Sequence, residues 1–346
     1  MIQCKRFSKA IYRASRCLVP MQSESRNLGS NPLDVVSVSD MCVDLVVSGN
    51  VRPEFHQFEQ IVGDYSLELG GSANIFASQL AKLGARSGVV GYIGRDMFGE
   101  FALRELGKIG VDTSHVKERA SLKTGIGIAL TEKNDRAILT YPGSIDATHA
   151  EDVDEALLHS CRHWHIASYF LLRNLRFFWP QWIEKCRKAG VSTSLDTNWD
   201  PDKRWDGVSD LLPCIDVFLP NEAEALSLTG ETDVWKAAML LAAKGPLTVV
   251  KCGENGAIAV KGDQTWQIKG SDCQDSPLSV VDSTGAGDNF DAGFLRGWLF
   301  GYGIDFSLRL GHRCALSSLS FPGGIRGQLH EFVGPKAADT IIKDIR

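Results

Sequence analysis

The 346-residue sequence lacks any apolar run long enough to cross a bilayer. Stretches such as Ala237 to Ala243 fall far short of the roughly 18 residues that a membrane helix needs. It also lacks a basic excess: 37 Lys and Arg stand against 42 Asp and Glu, a formal net charge of -5, which argues against a nucleic-acid binder and its basic face. The nine cysteines contain no C-x-x-C pair and are scattered from Cys4 to Cys314, so they read as reduced, packed thiols. No G-x-x-x-x-G-K-[ST] loop occurs, which excludes P-loop kinases and GTPases. The nearest approach to a dinucleotide fingerprint, GIGIAL at Gly125, lacks its third glycine. His163 and His165 stand at strand spacing without partners at zinc-site spacing, and read as strand residues.

What is present is an ordinary globular composition, 44% hydrophobic and 23% charged, with a surplus of glycine: 34 residues in 346, where roughly 7% is usual. Lys5, Arg6, Lys9, Arg13 and Arg16 all precede the first acidic residue, Glu24. Residues 1–32 therefore read as a basic N-terminal extension. A disordered extension, or a true start nearer Met21, implies a cytoplasmic protein; a transit peptide implies an organelle.

From Leu33 onward, β-branched runs such as DVVSVSDMCVDLVV, SGVVGYIG, HWHIASYF and LTVVKCG alternate with stretches such as IFASQLAKLGA, MFGEFALRELGKIG and NLRFFWPQWIEKCRKAG. The latter carry apolar residues at helical spacing and mostly end in glycine. Strand, helix, strand in succession predicts an α/β fold with a mainly parallel central sheet and helices on both faces. Residues 45–69 and 122–142 break the rhythm, because strand follows strand without a helix. Residues 122–142 have the pattern of a hairpin turning at Lys133, Asn134 and Asp135. A single domain over 33–346 with a small β-sheet lid is the expectation.

The segment VVDSTGAGDNFDAGFLRGWLFG, from Val280 to Gly301, carries the clearest chemistry. A turn of small residues opening an apolar-periodic helix aims free backbone N–H groups at one point, where the helix dipole favours an anion. Gly285 and Gly287 leave room for a phosphate, and Asp288 sits in the first helical turn. A carboxylate there, ionised at neutral pH, can accept a hydroxyl proton. The competing reading is a capped helix behind a glycine turn.

DSTGAGDNFDAGF closely resembles the C-terminal signature of the ribokinase-like, PfkB-type carbohydrate kinases, D-T-x-G-A-G-D-x-F-x-x-G. LGGSANIFASQLAKLGA with GYIGRDMFGE resembles the family's N-terminal signature. LPNEAEA at Leu219 matches its N-x-x-E element, and KCGENGA at Lys251 its nucleotide-side loop. One departure stands out: GGSAN has one residue fewer between Gly71 and Asn74 than the common G-G-x-x-x-N.

The resemblance implies a ribokinase-like fold and ATP-dependent phosphorylation of a hydroxyl on a small sugar or sugar-like molecule. By it, Asp288 is the catalytic base and the amides of Gly285, Ala286 and Gly287 form the anion hole. Asn221, Glu224, Lys251, Gly253 and Gly256 fall on the nucleotide side, with Glu224 organising Mg²⁺ through water. Asn221 and Glu224 read equally as a capping box. Asp282, Thr284, Ser318, Phe321 and Gly323 match positions that hold a monovalent cation, K⁺ in many relatives. Asp44, placed at the end of the first strand, with Gly70, Gly71 and Asn74, matches the acceptor side.

Asp196, Asn198 and Asp200 in SLDTNWDP are further acceptor-side candidates, and Arg95 or Arg136 could meet a phosphosugar. The same resemblance implies a homodimer through the lid. Rival readings are a nucleoside kinase, with Phe170, Trp199 or Tyr141 stacking on a base if they are not core, and a non-catalytic sugar or nucleotide sensor on the same fold.

Overall fold

The structure, a computed structural model, describes residues 32–56, 58–132, 135–273 and 280–330. The basic extension with Cys4 and Cys17, and the turn residues Lys133 and Asn134, lie outside the described residues, as does the Arg136 side chain. The first half runs β1 (Leu33–Val38), β2 (Cys42–Ser48), β3 (Asp64–Gly70), α1 (Ser72–Lys82), β4 (Ser87–Gly94), α2 (Met97–Ile109), β5 (Asp112–Arg119), β6 (Gly125–Glu132) and β7 (Asp135–Tyr141). Then come β8 (Cys161–Ile166), α3 (Trp179–Ala189), β9 (Ser192–Leu195), α4 (Val208–Leu211), β10 (Val217–Phe218), α5 (Glu222–Thr229) and α6 (Val234–Ala242). The chain ends with β11 (Leu247–Lys251), β12 (Ala257–Lys261), β13 (Gln264–Ile268), α7 (Ala286–Leu299) and α8 (Ile304–Ser318).

Nine strands form one sheet in the order β13-β12-β11-β10-β9-β8-β1-β4-β5. It is parallel from β5 through β11, and β12 and β13 add antiparallel at one edge. Period-2 alternation splits its side chains between two cores. Val35, Val217, Val249, Ala257 and Ala259 face Phe76, Phe290, Phe294 and Leu308 of α1, α7 and α8. Val36, Val38, Val250, Ile258 and Val260 pack with Trp164, Trp179, Trp182 and Leu241 on the other side. Both faces are covered, which is why these strands read as nearly continuous apolar runs.

The remaining strands form a small sheet, β3-β2-β6-β7. It is mixed: β2 pairs antiparallel with β3 and parallel with β6, and β6 pairs antiparallel with β7. It begins at Cys42, three residues before the expected boundary, so Asp44 falls inside β2 and not at the end of the first strand. The helix expected over NLRFFWPQWIEKCRKAG starts only at Trp179, because Pro180 sets the first turn and Arg173–Leu175 is a separate 3-10 turn. His163 and His165 are buried on β8, hydrogen-bonded to Ser192 and Ser194, and are strand residues as expected. The C-terminal ends of β1, β8, β9 and β11 meet the start of α7 along one edge, where open parallel sheets place their ligands.

Candidate active site

Gly285, at φ +70°, is the N-cap of α7 and no side chain caps that end. A Cβ there would meet Gly324 Cα and Ile75 Cδ1 at 2.9 Å, so position 285 takes glycine for both conformation and space. Gly285, Ala286 and Gly287 line a cavity of about 710 Å³. The Ala286 N–H leans weakly on the Ser283 carbonyl at 3.3 Å. Asn289 braces the turn: its amide donates to the carbonyls of Gly285 and Gly324, and Gln328 in turn donates to Asn289 Oδ1. Asp288, only 7% exposed, borders the same cavity. Burial and the negative charge of Asp196 push its carboxyl up to about 7, while Lys251 and the Ser72 hydroxyl act in the opposite sense.

Opposite the turn, Asn221 and Glu224 open α5. Asn221 Oδ1 accepts from the Glu224 N–H and Glu224 Oε2 accepts from the Asn221 N–H, both at 2.9 Å, so the capping box is formed. Both residues also line the cavity, and burial together with Asp196 raises the Glu224 carboxyl to about 7. Gly253 and Gly256 lie on the cavity wall. Lys251 lines it too, but its ammonium is gripped by two buried carboxylates, Asp196 at 2.8 Å and Asp291 at 3.1 Å, and is not held out as a free cation. Although burial disfavours its charge, Asp196 is held at about 2 by Lys251 and by hydrogen bonds from Asp291, Lys251 and the Asn198 amide. Burial drives Asp291 well above the ordinary carboxylate range.

Asp44, expected on the acceptor side, rests on the glycines of two neighbouring strands. A Cβ on Gly70 would fall 2.8 Å from its carboxylate, and one on Gly127 would clash with Asp44 Oδ1. Asn74 stands elsewhere than the expectation placed it. It is fully buried behind the Gly70–Gly71 turn, donating to the Gly70 carbonyl at 2.8 Å and accepting from Ser39 Oγ at 2.6 Å, and so props the turn from within.

Asp196 and Asn198 line the cavity, whereas buried Asp200 spends its carboxylate on the N–H groups of Asp202, Arg204 and Trp205 and builds a turn. Of the three aromatics considered for stacking, Phe170 is core, but Trp199 and Tyr141 are exposed, contrary to a core assignment. Arg95 is exposed and pairs with Glu118.

The expected cation positions converge through one side chain. Asp282 Oδ1 accepts from the Thr284 N–H and hydroxyl, and Oδ2 from the Gly323 N–H at 2.9 Å. Ser318 is buried and donates to the Ala315 carbonyl, while Phe321 is exposed. Glu68 of β3 reaches into this region, packs on Gly323 and forms an ion pair with Arg326 at 2.7 Å.

A family model described as pfkB family carbohydrate kinase matches residues 33–329. The chain belongs to the PfkB family of carbohydrate kinases. Fructoselysine 6-kinase of Shigella flexneri is 28% identical over 295 residues, covering 84% of this PfkB kinase and 98% of the relative. Arabidopsis thaliana ribokinase, solved with ribose and ATP, superposes with a TM-score of 0.72 at 23% identity, covering 90% of this chain and 99% of that one. An Escherichia coli chain described as a ribokinase II, solved with ATP and Mg²⁺, superposes with a TM-score of 0.76 at 22% identity, with the same coverages of 90% and 99%. At such identities the superpositions establish the ribokinase-like fold. Among the described residues of this PfkB kinase, no helix is long and apolar enough to cross a membrane.

Four residues near this site escaped the sequence. Asp40 follows β1 and accepts from the N–H groups of Ser72 and Ala73. Ser72 Oγ accepts from Asn198 Nδ2 at 2.9 Å. Asp291 stands three residues after Asp288, a helical spacing that could have marked it. His312 of α8, 4% exposed, lines the cavity, and its Nε2 has no hydrogen-bond partner among the described residues. No local motif announces it.

Proposed function

We propose that this PfkB kinase transfers the γ-phosphoryl of ATP to a hydroxyl of a small sugar or sugar-like acceptor, with Asp288 as the base. The observation that carries the reading is the buried Asp288 beside an uncapped helix start whose turn lines a nucleotide-sized cavity. The acceptor oxygen bonds to γ-phosphorus as the bond from that phosphorus to the ADP oxygen breaks, and the hydroxyl proton passes to Asp288. The amides of Gly285, Ala286 and Gly287 meet charge on the phosphoryl oxygens. Asn221, Glu224, Gly253 and Gly256 border the nucleotide, and Lys251 holds Asp196 and Asp291 in place.

The chemistry of the cluster fits a hard cation. Asp196, Glu224, Asp288 and Asp291 share one ammonium, and two of the four are pushed up to about 7. Magnesium keeps most of its waters and takes few protein ligands, so carboxylates at a cavity edge suffice to hold it through water. Glu224, with Oε2 committed to the cap, offers Oε1 to such a water. When bound, Mg²⁺ supplies charge neutralisation at the phosphates. The meeting of 282–284 with 318–323 supports a K⁺ site built from backbone oxygens.

Asp44 with Gly70 and Gly71 forms the acceptor wall in this reading, and the small sheet acts as the lid. Its edge strand β7 exposes Ile138, Leu139 and Tyr141, which supports pairing with a second copy. Exposed Trp199, next to cavity-lining Asn198, favours a nucleoside acceptor as the second reading.

Asp288→Asn tests the first reading. Turnover should fall about 10³-fold with nucleotide affinity retained by calorimetry, and retained turnover would remove Asp288 as base. ADP release across sugars, sugar acids, polyols and nucleosides, with and without K⁺, then separates the acceptor classes.

A further inference from the structure

Lys251 ends β11 with a side chain only 10% exposed, and its ammonium lies against the first turn of α7. Asp291 stands one turn along from Gly287 on the same face of that helix, and both of its oxygens accept from the ammonium, at 3.1 and 3.2 Å. Asp196, just after β9, accepts from it at 2.8 Å. A Cβ added to Gly287 would come within 3.4 Å of Lys251 Nζ, so the bare glycine leaves the ammonium beside the backbone of the turn. Lys251 and Gly287 both line the cavity.

Physical chemistry opposes a cation at this place. The dipole of α7 puts partial positive charge at its start, and burial adds a desolvation cost. The two carboxylates offset both and keep the charge where the helix alone would repel it. An ammonium has three donor directions, of which Asp196 and Asp291 take two. The third finds no acceptor among the described residues, and the side left to it is the cavity. An anion entering the turn would meet the helix dipole, the free amides and this ammonium together.

We propose that Lys251 is a catalytic residue, whose third N–H donates to an oxygen of the γ-phosphoryl group during transfer while Asp196 and Asp291 hold the ammonium beside Gly287. The inference rests on the phosphoryl-transfer reading and on the turn as its anion hole. The ammonium keeps all three of its protons. The acceptor oxygen bonds to phosphorus as the bond to the ADP oxygen breaks, and the acceptor's proton goes to Asp288. Because the cation is fixed and already stripped of water, it meets the charge on the phosphoryl oxygens with little reorganisation.

The test uses the full chain with Mg²⁺, ATP and the best acceptor from the panel. It reads kcat, the Kd for ADP, and the Kd for ADP with aluminium fluoride and acceptor, a mimic of the phosphoryl group in flight. Lys251→Met should lower kcat about 10²-fold and weaken the aluminium fluoride complex by a similar factor. Affinity for ADP alone should stay within about threefold, because the contact is made to the group that leaves ADP.

Lys251→Met also strands two buried carboxylates, so the double variant Lys251→Met/Asp291→Asn separates contact from support. It removes one carboxylate along with the cation, and it should melt nearer the parent than Lys251→Met does while staying about 10²-fold slow. Turnover restored to within about threefold in the double variant would overturn the proposal, because the ammonium would then serve only its carboxylates. So would a Lys251→Met enzyme that binds the aluminium fluoride complex as tightly as the parent. Should Lys251→Met not fold, the double variant carries both readouts. A parent enzyme that binds the aluminium fluoride complex no tighter than ADP sinks the phosphoryl-transfer reading itself. A parent that does bind it tighter, beside a Lys251→Met enzyme that matches it, sinks the role of Lys251 alone.

Discussion

Helices α1 and α7 both begin at a glycine of positive φ, Gly71 at +88° and Gly285 at +70°, and neither N-cap residue supplies a side-chain cap. Their starts are nevertheless used differently. At α1 the first N–H groups, those of Ser72 and Ala73, go to the carboxylate of Asp40, a residue from the end of β1. At α7 the corresponding turn lines the cavity. One positive helix end is neutralised inside the protein and serves the architecture, while the other opens on the cavity, where the proposed function places an anion. The difference is set by which neighbouring loop carries a carboxylate, not by the glycines that the two starts share.

Between the two helix starts, the larger expected effect comes from closing the open end. In Gly285→Ala the added methyl meets Gly324 and Ile75 and the turn must leave its left-handed conformation, so kcat should drop about 10²-fold, the scale of losing an anion-hole donor. A variant within about twofold of the parent would show that the turn's amides do not face the reaction.

A second effect follows from pH. Asp288 must be ionised to accept a proton, so kcat/KM should fall about tenfold per unit as pH drops below its value near 7. Stability runs the other way. The folded-state value lies above the ordinary 3.8, so the native state binds the proton more tightly than the unfolded chain does. Stability is therefore greatest at low pH with respect to this group and is lost as pH rises through about 7. Asp288→Asn should accordingly melt a few degrees above the parent at pH 8, by a smaller margin at pH 5 and close to it near pH 4, as read by calorimetric scans.

The smallest effect belongs to the closed end. Asp40→Asn leaves one carbonyl oxygen where the carboxylate uses two, and should cost about 1 kcal/mol in denaturant unfolding while turnover falls less than in Gly285→Ala.

The architecture was legible because strand and helix periods differ and both recur along the chain. The strands of the large sheet are apolar on both faces, and the helices mostly stop at glycine. The glycine turn that opens α7 was legible because it is local: Gly285 to Asp288 are consecutive, and a helix start needs only its own residues to present N–H groups. What escaped is chemistry assembled across the fold. Asp40 caps a helix that starts 32 residues later, and Lys251 answers carboxylates from β9 and α7. Asn74 has the residue type expected of a sugar ligand, yet its neighbours Ser39 and Gly70 absorb its amide. Asp44 kept its place in the motif but moved into the small sheet, because the strand pattern after Met41 continues without a break that marks where one sheet ends and the other begins.

The contact between Glu68 and Arg326 ties the small sheet to the segment that holds the turn before α7. Glu68 belongs to β3; it packs on Gly323, whose N–H holds Asp282, and Asp282 holds Thr284, the residue before Gly285. These contacts run without a gap from the small sheet to the residue before Gly285, so the strand that packs on Gly323 and the turn that opens α7 share one set of partners.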